Sequence, residues 1–113
     1  MSESPLFSRL HDFLLWLLPQ AAKFPRMYRF TLAERVQRQA LDLQETLIAA
    51  GLRRGPERVG HLRQADVRLA QLRQTIRLCC DLNLLTVRQY EHAAARLAEI
   101  GRLLGGWQKG VSG

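Results

Sequence analysis

Leu62, Ala65, Leu69, Leu72, Ile76 and Cys79 follow one another at alternating steps of three and four residues, without a break. A β-strand repeats every two residues, so this spacing fits only a helix with a single buried stripe. Such a stripe reads as the seam of a helical bundle.

The rest of the chain supplies the partners. Ser4-Pro5 offer a cap and a proline for a first helical turn. Leu6, Leu10, Phe13, Leu14 and Leu17 then keep helical spacing, while Leu15, Trp16 and Leu18 fill other faces and imply burial on more than one side. Pro19 bends or ends this helix. Lys23-Phe24-Pro25-Arg26 reads as a connector, because Pro25 disfavours helical backbone at Phe24. Thr31-Leu32-Ala33-Glu34 has the pattern of a capping box. The helix it opens has a main stripe of Leu32, Val36, Ala40, Leu43, Leu47 and Ala50, with Leu41 and Ile48 on the opposite face. Gly51 begins its exit, and Arg53-Arg54-Gly55-Pro56 forms a loop.

Asp81-Leu82-Asn83 closes the third helix, with Asn83 suited to a left-handed cap. Thr86-Val87-Arg88-Gln89 is a second capping box, followed by an inner face of Tyr90, Ala93, Ala94, Leu97, Ile100, Gly101, Leu104 and Trp107. No run alternates as a strand does. The expected fold is therefore all-α: an antiparallel up-and-down four-helix bundle in one domain over 1–113, with helices at roughly 5–22, 31–51, 57–83 and 86–108.

Chemistry is sparse on this scaffold. His11, His61 and His92 lie on different helices or their edges, without the His-x-x-x-His or Glu-x-x-His spacing of a di-metal bundle, so no metal and no cofactor is expected. Adjacent Cys79 and Cys80 point about 100° apart on a helix and do not bond to each other. Cys79 continues the core stripe, where a thiol behaves as a small hydrophobe, and reduced buried thiols suit a cytoplasmic location. Gly105-Gly106 does not open a helix, so it is no phosphate loop. The chain reads as a non-enzyme. Glu3 and Asp12 flank the first apolar run, so no secretory leader is expected, and Phe13–Leu18 is too short to span a membrane.

What remains is charge. The formal net charge is +7, and of the 17 basic residues only Lys23 and Lys109 are lysine. Guanidinium forks suit phosphates, although a GC-rich genome also favours arginine codons. Between Arg53 and Arg77 seven arginines face only Glu57 and Asp66. Arg63, Arg73 and Arg77 share one flank of the third helix. Such a row either follows a phosphate backbone or is a solvated helix face. A second cluster, Lys23, Arg26 and Arg29, alternates with Phe24, Tyr28 and Phe30. Those aromatics either stack on unpaired bases or, as favoured here for Phe24 and Phe30, pack the connector on the bundle. Leu41 and Ile48, with Leu15 and Trp16, add more apolar surface than one small bundle needs, which points to self-association or a partner.

The stretch Leu103-Leu104-Gly105-Gly106-Trp107 ends the pattern. Two glycines disfavour a helix interior, so they are expected in its last turn, allowing close approach of a neighbouring helix, with Trp107 anchoring the terminus on the bundle or an adjacent subunit.

Taken together, Trp16-Leu17-Leu18-Pro19, Lys23-Phe24-Pro25-Arg26, Arg29-Phe30-Thr31-Leu32, Arg88-Gln89-Tyr90-Glu91 and Glu99-Ile100-Gly101-Arg102-Leu103-Leu104-Gly105-Gly106-Trp107 resemble the accessory variability determinant (Avd) proteins of diversity-generating retroelements. Those proteins are related to the bundles encoded in intervening sequences of bacterial 23S ribosomal RNA genes. The likeness spans about residues 7–109. It implies a basic four-helix bundle without catalytic residues, assembled as a homopentamer. It further implies partners in the element's reverse transcriptase and its template RNA or cDNA, in support of mutagenic reverse transcription. A stand-alone bundle of the ribosomal intervening-sequence type, structural or RNA-associated, is the alternative. Arg63, Arg73, Arg77, Arg26 and Arg29 are the candidate nucleic-acid contacts. Trp16, Leu41, Ile48, Gly105, Gly106 and Trp107 are the candidate packing or oligomer positions.

Overall fold

In the computed structural model, which describes residues 5–112, four helices account for most of the chain: α1 (Leu6–Ala22), α2 (Glu34–Leu52), α3 (Gly55–Asp81) and α4 (Val87–Ser112). Each helix packs on the next, and α1 also packs on α4, which closes an up-and-down bundle. The 27 residues of α3 extend about 40 Å at 1.5 Å per residue, nearly the molecule's 44 Å long axis. The seam Leu62, Ala65, Leu69, Leu72, Ile76 and Cys79 is buried along its whole length. It meets Val36, Ala40, Leu43, Leu47 and Ala50 of α2, Leu6, Leu10, Phe13 and Leu17 of α1, and Ala93, Leu97, Ile100 and Leu104 of α4 in one core. Ala94, expected on the inner face, is exposed at its edge.

Local chemistry explains the helix ends. Ser4 lies outside the described residues, but Pro5 does stand at the start of α1, its carbonyl accepting the Arg9 N–H at 2.9 Å. Pro19 does not end α1, which runs on to Ala22. At the end of α3, Asn83 adopts φ 62°. The Asn83 N–H donates to Cys80 O and the Leu84 N–H to Cys79 O, at 2.9 and 2.8 Å, a Schellman closure with asparagine in the glycine position. The second capping box then forms in full: the Gln89 N–H donates to Thr86 Oγ1 at 3.0 Å and the Thr86 N–H to Gln89 Oε1 at 2.9 Å.

Two expectations are corrected. The Thr31–Glu34 capping box does not form. Pro25, with φ −53° and ψ 149°, launches a 3₁₀ turn (Arg26–Tyr28), and a π-helical turn (Arg29–Ala33) continues directly into α2. An N-cap needs a residue outside the helical region. Ala33 before α2 is already helical, and Glu34 binds Arg38 at 3.0 Å instead. The second correction is at Gly105 and Gly106, which lie well inside α4. The buried Leu104 and the partly buried Trp107 and Val111 carry the apolar stripe past them, and packing of that stripe outweighs the low helix propensity of glycine.

Candidate nucleic-acid interface

The arginines of α3 divide into two sets. Arg58, one turn into the helix, reaches back to the end of α2. Its Nε donates to Ala50 O at 2.9 Å, alongside the Arg53 N–H at 3.4 Å, and its Nη2 to Gly51 O at 3.3 Å, so the guanidinium bonds carbonyls of the last turn of α2. The same guanidinium lies 5.6 Å from the Trp107 ring. Arg68 pairs with Asp42 of α2 at 3.5 Å. Arg73 donates from Nη2 to Leu97 O of α4 at 3.0 Å. There Gly101 makes room: a Cβ at that position would stand 2.7 Å from Arg73 Nη2. These three cations tie α3 to its neighbours.

Arg63 and Arg77 are different. Both are exposed and neither makes an ion pair or side-chain hydrogen bond among the described residues. Fourteen residues apart, they sit about 21 Å from one another along the helix axis, which is roughly six base steps of a duplex. Of the proposed row, then, Arg63 and Arg77 present free guanidinium groups, and Arg73 between them is partly committed to α4.

The second cluster sits where α1 passes to α2. Lys23, Arg26 and Arg29 are all exposed. The aromatics between them separate. Phe24 is buried, at 9% exposure, and packs the connector as expected, and Tyr28, partly buried, packs there too. Phe30 does not: it is 84% exposed, with Arg29 above its ring at 5.9 Å. In an α-helix Phe30 would share a face with Ala33, three residues on. The π turn, bonded at i→i+5, shifts that register and turns the ring outward.

The sequence did not single out Arg35, Arg96 and Arg102, which are also exposed and unpaired among the described residues. For Arg35 a signal existed: Thr31, Leu32, Arg38 and Gln39 stand three and four residues away, and none is acidic. Arg38, with Glu34 and Asp42 at that spacing, bonds Glu34 and has its pKa raised by that hydrogen bond and charge.

The candidate packing residues fall into three groups. Trp16 is partly buried, its ring 6.1 Å from Phe13 and 4.6 Å from His92. Trp107 is partly buried between Phe7, at 6.0 Å edge-to-face, and Arg58. Leu41 and Ile48 remain 41% and 45% exposed, and beside Leu41 a shallow cleft is lined by the 64% exposed Leu15 and by Leu18 and Pro19. At Gly105 and Gly106 no close approach occurs within the chain: an added Cβ would meet nothing within 4 Å. The tight glycine is Gly101.

Reactive groups are few. Cys79 is buried and burial pushes its thiol up to about 11, away from the thiolate a nucleophile needs. Among the described residues no three of His, Cys, Asp and Glu gather as metal ligands, and no helix is long and apolar enough to cross a membrane.

A bundle whose distinguishing feature is unpaired surface arginine is recognised by its whole helical pattern, not by a reactive motif. No curated protein sequence matches it. The model of the bAvd-like family matches residues 6–111, nearly the whole chain and all four helices. The chain belongs to the bAvd-like family.

Proposed function

We propose that this protein is a non-enzymatic accessory subunit of a diversity-generating retroelement, which holds template RNA or cDNA and the element's reverse transcriptase together. The observation that carries the nucleic-acid part is the set of exposed arginines without carboxylate partners, Arg63 and Arg77 on α3 and Arg26 and Arg29 in the connector. Each neutralises a phosphate without first breaking an internal ion pair. Family membership supports the accessory role. The exposed Leu15, Leu41 and Ile48 support an oligomer in which α1 and α2 face another copy, a pentamer by the family resemblance.

Co-expression with the reverse transcriptase and template RNA of such an element tests the reading. The protein is expected to co-purify with both, and cDNA synthesis with errors at template adenines is expected to require it. RNA binding with no retention of the polymerase supports the stand-alone alternative, and full mutagenic synthesis without this chain overturns the accessory role.

A further inference from the structure

We propose that Phe30 and the cations around it form a stacking platform for unpaired nucleobases, so that this end of the bundle selects single-stranded over duplex nucleic acid. The inference rests on the nucleic-acid reading above and goes further, because phosphate contacts alone do not distinguish strands by pairing.

Four observations converge on it. The chain buries Phe13 and Phe24 yet leaves Phe30 84% exposed, and the π turn holds the ring out. The Arg29 guanidinium lies over one face of the ring, 5.9 Å from its centroid, which puts a cation beside the ring while the 84% exposed side chain keeps its other face for a base. No acidic residue occurs between Asp12 and Glu34, and Lys23 and Arg26 stand exposed in the same connector. Beside the ring lies a groove of about 240 Å³ with Thr31, Arg35 and Leu78 on its walls. The one acid on that groove, Glu34, is held by Arg38. An aromatic face flanked by arginines and open to solvent is the arrangement that stacks a splayed base while the cations take the adjacent phosphates. In a duplex both faces of each base are already stacked, so the ring has nothing to receive.

The test uses the full chain with a single-stranded RNA and a duplex of equal length, each followed by fluorescence anisotropy at low salt. Wild-type protein is expected to bind the single strand more tightly. Phe30→Leu is expected to lose about tenfold of that affinity, within the range of one base stack, and none of the duplex affinity. Phe30→Trp is expected to keep the preference and to quench a 2-aminopurine placed in the strand. Equal binding of both forms by wild type, or a Phe30→Leu protein that keeps its single-strand preference, overturns the platform and leaves phosphate binding standing. A Phe30→Leu protein that changes oligomer mass in light scattering, with the preference intact, assigns the ring to a protein interface and also overturns it. Failure of wild type to bind either form overturns the nucleic-acid reading itself.

Discussion

Arg58 and Arg63 lie five positions apart on one helix and carry the same charge, yet they do different things. Arg58 closes the end of α2 through Ala50 O and Gly51 O and covers Trp107. Arg58→Ala is expected to cost about 2 kcal/mol, as for the removal of hydrogen bonds from a charged donor, and urea unfolding measures it. Arg63→Ala, whose side chain bonds nothing within the chain, is expected to stay within about 0.5 kcal/mol of wild type and to change only binding. Sequence composition weighs all the arginines alike because the difference lies in tertiary partners. Cys79 carries a pH dependence of its own. Its folded-state pKa, about 11, lies above the ordinary 9.0, so the folded state retains the proton that the unfolded state loses. The stabilisation is complete below pH 9 and disappears as pH rises through 11. Urea midpoints are expected to fall across that window in wild type and to fall less in Cys79→Ala.

At the scale of the element, two similar sequence signatures have different fates. Thr86–Gln89 forms its reciprocal cap, because α3 has ended at Asp81, the left-handed Asn83 has turned the chain away, and it re-enters a helix from outside. Thr31–Glu34 forms none, because Pro25 has already started helical turns upstream. Capping patterns are local, and what precedes them decides whether they are used. Thr86→Ala is expected to cost about 1 kcal/mol. The glycine pair carries the converse lesson. Its composition signals a terminus, but the apolar stripe through Leu104 and Trp107 is the stronger signal and α4 continues. With no atom within 4 Å of an added Cβ, Gly105→Ala and Gly106→Ala are each expected to stabilise the chain by up to about 1 kcal/mol. Thermal unfolding checks this. If the double variant instead loses the proposed oligomer in light scattering, the bare backbone serves contact between copies.

For the whole molecule, the four stripes and their spacing make the bundle legible, since burial follows periodicity in every helix apart from the exposed Ala94. The surface is less legible. Whether an α3 arginine is free depends on the helix opposite it, as Arg68 with Asp42 and Arg73 with Leu97 demonstrate. Whether Phe30 is buried depends on one π turn that periodicity does not encode. The exposed Leu41 and Ile48 are legible, lying seven residues apart on the face away from the α2 stripe. Leu41→Glu with Ile48→Glu is expected to lower oligomer mass without loss of helical content, and an unchanged mass removes that face from the assembly.

The nucleic-acid role is tested most directly by the affinity of the full chain for single-stranded RNA, titrated with salt, for wild type and for Arg63→Ala with Arg77→Ala. Logarithmic affinity is expected to fall linearly with logarithmic salt concentration, and the double substitution to reduce that slope by about 1.4, or ~0.7 for each phosphate no longer neutralised. Binding that is indifferent to salt, or a slope that both substitutions leave unchanged, would contradict it.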